Sequence, residues 1–376
     1  VAGSNGKGST SALLAAMASA AGLRTGLYTS PHLESVEERL RIDGRAIDPG
    51  EFAGLLGRIV ESATPTYFEA VTAAAFLWFA ERQVDLAVIE VGMGGRLDAT
   101  NVCEPELSLI TSISLEHREH LGDTLAAIAR EKAGTFRPGR PALVWLENPE
   151  PSVAVRKVAA GLGTDLRFAP ELVEIHQDGQ HLQLTTPKGE HDLELALPGR
   201  HQARNLALAV LAAETLGIGP EAIAQGARSC RWPGRLEKVE LPGDRRVLLD
   251  AAHNPEGAAA LAEFLEGPFD LLFGALADKD AADMLGPLAK GARRIVLTTP
   301  ASDRARSPKE LAALLPGREV EVVPDLGQAL ERALRPGARL VVCGSIYLIG
   351  EVRRRLRERF GVPPPASGPI FLFGPT

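Results

Sequence analysis

The sequence predicts an α/β protein of two domains, on three observations. Short apolar runs alternate with longer amphipathic ones through the first two-thirds of the chain, the pattern that lays strands and helices into a parallel sheet. The opening VAGSNGKGST (1–10) is a glycine-rich run handing over to a helix, as loops that cradle phosphate do. A stretch rich in Pro, Gly and charge, RWPGRLEKVELPGDRR (231–246), breaks the alternation, which then restarts. Residues 1–234 are therefore expected to form a P-loop domain on a parallel sheet, and residues 235–376 a smaller Rossmann-like α/β domain. With 376 residues the chain is long enough for two cores.

In chain order, Val1-Ala2 reads as the tail of a strand, so the sequence is expected to continue upstream, where a targeting signal would lie out of view. STSALLAAMASAAG (9–22) reads as a helix ended by Gly22, and LYTS (27–30) as a strand. A helix is expected over 68–83, then a buried strand at DLAVIEVG (85–92) and another at LSLITSIS (107–114). DTLAAIAREKAG (123–134) follows as a helix and PALVWL (141–146) as a strand. From 171 to 197 the period changes to two, with turn signals at Asp178-Gly179 and Lys188-Gly189, which predicts a small antiparallel meander. A helix at 204–217 leads to the 231–246 segment, the expected boundary and hinge. Beyond it, strands are expected at 247–252, 270–276, 294–299, 319–323 and 339–345, with helices between. The basic run EVRRRLRERF (351–360) carries Glu351 and Glu358 and reads as a solvated face of a terminal helix; a Pro-rich VPPPASGP follows it.

Composition narrows the function classes. A net charge of −7 argues against bulk binding of nucleic acid, which wants a basic face. No apolar run approaches the ~18 residues of a membrane span. Cys103, Cys230 and Cys343 are far apart and form no metal or redox spacing, which fits a reducing cytosol. A cytoplasmic protein, monomeric, with small-molecule partners and neither nucleic acid nor membrane, is the expectation.

The opening loop departs from the common phosphate loop. That form has four residues between its first glycine and the Gly-Lys pair, with Ser or Thr directly after the lysine. Here Ser4 and Asn5 alone separate Gly3 from Gly6-Lys7, and Gly8 intervenes before Ser9 and Thr10. Glycines at 3, 6 and 8 let successive N–H groups face inward, Lys7 supplies a positive point charge, and the two hydroxyls stand at the helix start. The plainer alternative is a glycine turn capped by Ser9.

Glu90 ends an apolar strand, where nucleotide-hydrolysing folds hold Mg²⁺, or else it is a buried carboxylate paired with an arginine such as Arg96. Glycines at 92, 94 and 95 would let the chain turn close beside a ligand. Of four histidines near strand ends or turns (His32, His117, His201, His253), His117 is favoured, because it follows a buried strand and can face the crevice of Glu90. Lys132 at a helix C-terminus reads as a complement to the helix dipole. Asp250, His253 and Asn254 stand at a strand end where they can reach a ligand between domains, as can Arg235; the alternatives are capping for Asp250 and Asn254 and a surface charge for Arg235.

Together GSNGKGS (3–9), LYTSPHL (27–33), TYFEAVTAAAF (66–76), EVGMGGRLDATN (90–101), EHREHLG (116–122), EKAG (131–134), PGRHQARN (198–205), WPGRLE (232–237), DAAHNP (250–255) and GSIYLIGEVR (344–353) resemble the folylpolyglutamate synthases and bifunctional dihydrofolate synthase/folylpolyglutamate synthases of the Mur ligase superfamily. The shortened loop is the form those amide ligases carry. The resemblance implies a Mur-ligase-like P-loop ATPase domain with a small meander and a glutamate-ligase-type domain after it. It implies ATP and Mg²⁺, with a reduced folate or dihydropteroate and L-glutamate as substrates.

Gly3, Asn5, Gly6, Lys7, Gly8, Ser9 and Thr10, with Asn205, Arg235 and Asp250, would then bind the nucleotide. Ser30, Glu90 and His117 would ligate magnesium. Thr66, Tyr67, Phe68 and Glu69, with Leu97, Asp98 and Ala99, would lie along the pteroate. Lys7, Lys132 and His253 would stand at the chemistry, Lys132 as the lysine that is carboxylated in this superfamily to help bind a second metal. The sequence departs from the family pattern at Ser4 (commonly Thr), Ala251 (commonly Gly) and Glu116-His117-Arg118, where Asp-His-Thr is typical. The runner-up readings are a Mur-type ligase acting on a cell-wall nucleotide precursor and a non-catalytic nucleotide switch. TYFE, LDATN and HQARN favour the folate branch, and a switch has no need of a second βα domain with DAAHNP.

Overall fold

The computed structural model describes residues 1–363, so VPPPASGP lies for the most part outside the described residues. In chain order the N-terminal part holds β1 (Thr25–Tyr28), β2 (Leu40–Ile42), β3 (Arg45–Ala46), β4 (Leu86–Ile89), β5 (Ser108–Ile110), β6 (Pro141–Val144) and β7 (Asp165–Phe168). Around them run α1 (Lys7–Ala20), α2 (Pro49–Ser62), α3 (Tyr67–Glu81), α4 (Arg118–Leu121), α5 (Leu125–Ala133), α6 (Pro149–Leu162), α7 (His201–Thr215) and α8 (Pro220–Ser229).

Val1–Ala2 joins two half-sheets. Strands run β3-β2-β1-β4 on one side and β5-β6-β7 on the other. Between them Val1 N donates to Ile89 O, Val91 N to Val1 O, Ala2 N to Leu109 O and Thr111 N to Ala2 O, the ladder of a parallel strand paired on both edges. The carboxyl ends of β1, β4 and β5 thus flank the loop that follows Ala2, where ligands bind in open α/β sheets. Helix α1 is apolar nearly all round because it is enclosed nearly all round, by the sheet, α7 and α8. Its approach to α8 is close: a methyl on Gly226 would sit 2.5 Å from Met17 N.

The meander forms as expected, from β8 (Glu174–Asp178), β9 (His181–Thr186) and β10 (Gly189–Glu194), with Leu182, Leu184 and Thr186 inward. The hairpin β2–β3 and helices α2, α6 and α8 were not among the expected elements.

The C-terminal sheet comprises β11 (Glu237–Leu241), β12 (Arg245–Leu249), β13 (Phe269–Phe273), β14 (Ala292–Leu297), β15 (Glu321–Val322) and β16 (Arg339–Cys343), in the order β11-β12-β16-β13-β14-β15. All are parallel save β11, which pairs antiparallel with β12. Its helices are α9 (Pro255–Phe264), α10 (Ala281–Gly291), α11 (Pro308–Ala313), α12 (Leu326–Ala333) and α13 (Ile346–Phe360).

β11 and the start of β12 lie in the 231–246 segment, and β11 is an edge strand whose Lys238 and Glu240 face out while Val239 and Leu241 point inward. One expectation needs correction: EVRRRLRERF is not wholly a solvated face, since Arg353 is buried with Val352 and Leu356.

Candidate active site

The phosphate loop is built on two left-handed glycines. Gly3 has φ 150° and lies so close to β5 that a methyl there would be 1.9 Å from Thr111 Oγ1; Gly6 has φ 85° and would meet Asn205 Oδ1 at 2.3 Å. The residues after β5 hold the loop from outside: Ser4 N donates to Ser112 O, Asn5 N to Ser112 Oγ, and Thr111 Oγ1 to Asn5 O at 2.6 Å. Lys7 Nζ curls back onto Gly3 O at 2.8 Å and Ser4 O at 3.2 Å. Trp232 packs against Gly8, with Arg41 over its ring. Ser9 and Thr10 do not stand open at the helix start. Both are buried, Ser9 Oγ accepting from Gln202 Nε2, and Thr10 Oγ1 and Ser11 Oγ meet no partner among the described residues.

Glu90 does not pair with Arg96, which binds Glu131 instead. Its carboxylate is buried and takes one hydrogen bond among the described residues, from Ser30 N at 3.1 Å. Burial pushes its pKa above the ordinary carboxylate range, with Lys7, the Ser30 amide and Arg235 pulling the other way. Ser30 and Glu90 share a cavity of about 50 Å³ with Gly8, His32, Trp232 and Arg235. His117, in a left-handed turn (φ 45°), lines an adjoining smaller pocket with Gly3, Lys7, Glu116 and Lys132. Burial holds its imidazole below the ordinary value, so it is neutral at pH 7 and free to ligate.

Lys132 is not an exposed partner of a helix dipole. It is 1% exposed, and its Nζ donates to Gly3 O at 2.8 Å and to Glu116 Oε1 at 2.7 Å. Burial brings its pKa down to about 8, Lys7 adding to the effect and Glu116 opposing it. Burial works to raise Glu116, but Lys132 and Lys7 outweigh it and hold the carboxyl below its ordinary value. An ammonium fits this setting, whereas a carbamate would face Glu116 as a like charge. The extra methylene of Glu116 reaches the lysine, and Arg118 turns away to Asp123 at the surface.

From the C-terminal sheet, Asp250 uses both oxygens on main chain outside any helix, accepting from Leu236 N at 2.8 Å and Ala252 N at 2.9 Å; the capping alternative holds for Asn254, which starts α9 by accepting from Gly257 N at 2.8 Å. Arg235 is half-buried and makes no hydrogen bond or ion pair among the described residues. His253 Nδ1 lies 2.8 Å from Ala251 O, and burial brings its pKa down to about 4. Asn205, buried against Gly6, donates to Gln202. Contacts that the sequence did not disclose cross the junction from α9 to the loop: Asn254 Nδ2 donates to Asn5 Oδ1 at 2.8 Å, and Asn5 Nδ2 donates to Glu256.

The residues expected along a pteroate divide into two kinds. Thr66 and Glu69 bind each other in a capping box that starts α3, and Asp98 caps the turn at 99–102 while accepting from Met93 N. Phe68 lies over Gly92, where a methyl would be 2.4 Å from its ring, so the two segments meet there. Tyr67 is 60% and Leu97 79% exposed, leaving an apolar face open to a ligand; Ala99 is half-buried beside it.

A phosphate loop on a parallel sheet, facing a second α/β sheet that closes on it with arginine and histidine, is the build of a Mur-type ligase. Residues 1–213 match the Mur ligase middle domain and residues 234–346 the Mur ligase glutamate ligase domain. The chain is 35% identical to a dihydrofolate synthase/folylpolyglutamate synthase of Bacillus subtilis, over 95% of this chain and 90% of that one. It is 37% identical to a probable bifunctional folylpolyglutamate synthase/dihydropteroate synthase of Halobacterium salinarum, over 96% of this chain and 47% of that protein, and so spans about half the length of that relative. The solved structure of a Yersinia pestis bifunctional folylpolyglutamate synthase/dihydrofolate synthase, complexed with AMPPNP and a Mn ion, superposes with a TM-score of 0.85 at 34% identity, covering 95% of this chain and 88% of that one. The chain belongs to the folylpolyglutamate synthase/dihydrofolate synthase family.

Proposed function

We propose that this chain joins L-glutamate to the carboxyl group of a reduced folate, with dihydropteroate as an alternative acceptor, using ATP and Mg²⁺. The observation that carries this reading is the unpartnered Arg235 guanidinium, set beside Glu90 and the phosphate loop at one junction. A half-buried guanidinium without an acceptor suits a bound anion such as a nucleotide phosphate. The donors also suit the cation. Glu90 carboxylate and Ser30 hydroxyl are hard oxygens, and the neutral His117 admits Mn²⁺ as well as Mg²⁺. When bound there, the cation would neutralise charge on the transferring phosphoryl group.

A carboxylate is a poor acylating agent because oxide would have to leave. An oxygen of the substrate carboxylate attacks the γ-phosphorus of ATP and ADP leaves, giving an acyl phosphate. The amino nitrogen of glutamate attacks the acyl carbon, the C–O bond to phosphate breaks, and the nitrogen loses a proton to give the amide. Lys7, held at the loop by two carbonyls, faces the developing phosphoryl charge. Tyr67, Phe68 and Leu97 would bear the pteroate ring. Water must be kept from the acyl phosphate, and the two sheets closing on the cleft do that. The junction cavity of about 50 Å³ is far below the ~300 Å³ of small-ligand sites, so substrates enter with the domains apart. Domains at 1–234 and 235–376, and a cytoplasmic monomer with free cysteines, complete the proposal.

Phosphate release from ATP tests it. Release that requires both glutamate and a reduced folate or dihydropteroate is expected. Release triggered by a nucleotide-linked muropeptide, or needing no acceptor, would overturn the reading.

A further inference from the structure

Arg353 on α13 lies where two segments of the candidate site meet. Its Nη1 donates to Glu34 at 2.7 Å, and its Nε to both oxygens of Glu237 at 3.0 and 3.1 Å. The Arg353 and Glu34 side chains are each 5% exposed, and Arg357 reaches the other oxygen of Glu34. Glu237 in turn accepts from Gly234 N at 2.8 Å, the residue before Arg235. Glu34 follows Ser30 by one turn of chain. That turn is stiff, because Glu38 accepts from the amides of Leu33, Glu34 and Ser35, each at 2.9 Å. It also lies directly on α13: a methyl on Gly350 would sit 2.0 Å from Leu33 O.

We propose that Arg353 is a positioning residue for the ligase reaction, fixing the separation of Ser30 and Arg235 across the cleft. The Ser30–Glu90 cation site and the Arg235 anion site then form together only when α13 is seated on the 30–38 turn. This rests on the reading of those two sites given above. Without Arg353, Glu34 keeps only the more exposed Arg357 and Glu237 loses its guanidinium, so the link between the 30–38 turn and the 234–237 segment is gone.

The test measures Mn²⁺ binding to the full chain with a non-hydrolysable ATP analogue, by water-proton relaxation, alongside KM for ATP and the melting temperature. Arg353→Met and Glu34→Gln are expected to weaken Mn²⁺ binding and raise KM for ATP together, each by roughly 2–30-fold. Arg353→Lys recovers part of both, while Arg354→Met, on the same helix with surface partners, changes neither. A fall in melting temperature with Mn²⁺ affinity and KM unchanged would make Arg353 merely structural and overturn the proposal. Glu34→Gln keeps the side-chain shape and decides the matter if Arg353→Met does not fold; binding equal to wild type would sink the idea. Because relaxation needs no turnover, loss of Mn²⁺ binding in the variants upholds the positioning role even if the wild type shows no glutamate-dependent phosphate release, which would count against the proposed activity alone.

Discussion

Lys132 and Arg235 approach one cleft from the two sheets, Lys132 bound to Gly3 O and to Glu116, Arg235 bound to nothing among the described residues. Lys132 is the more deeply buried, and its charge is answered within the protein. Arg235 is half-buried and its charge is answered only by neighbours at a distance, Glu90 and Asp250. A cation already paired holds the loop in shape, whereas one left open marks where a ligand belongs. Lys7 stands between them, paired to carbonyls that carry no full charge.

The largest expected effect is at Lys7. Lys7→Ala should lower turnover by on the order of 10³-fold with the fold intact, checked by phosphate release and circular dichroism. Full activity in that variant would remove the loop from the chemistry. Next comes the paired cation: Glu116→Gln strips Lys132 of its counter-charge and should cost about 3–5 kcal/mol of stability in denaturant unfolding. The open cation should behave the other way. Arg235→Met should raise KM for ATP by roughly 10–100-fold and leave stability within about 0.5 kcal/mol. If both variants lost stability alike, the contrast between the two cations would collapse.

The smallest effect is on pH. Burial brings His253 down to about 4 from 6.5. Between those values the unfolded chain binds more protons than the folded one, so stability rises with pH from 4 to 6.5 and is lost on acidification. Lys132 acts likewise between about 8 and 10.5. Replacing His253 with Gln should flatten the acid limb by on the order of 2 kcal/mol, read from melting curves against pH.

Much of this was legible in the sequence because strand, loop and helix follow each other locally. Lys7, Glu90 and Asp250 each end or begin an element whose period announces it. What was not legible depends on partners remote in sequence. Arg353 and Glu34 are 319 residues apart, and nothing in a basic helix says which arginine turns inward. Thr66, Glu69, Asp98 and Asp250 show the converse. Their types suit both ligand contact and capping, and only the arrangement of amides around them shows how far they serve the main chain. The strand β11 was hidden because an edge strand carries charge on its open face, as a linker does.

Ser11 sits in the second turn of α1 with its hydroxyl buried and unmatched among the described residues. A polar atom in that position costs about 1–3 kcal/mol, and serine is a poorer helix former than alanine. The helix behind the phosphate loop is therefore below its attainable stability. It offers a route to a heat-resistant form of the enzyme through Ser11→Ala, at a residue with no assigned contact to any substrate.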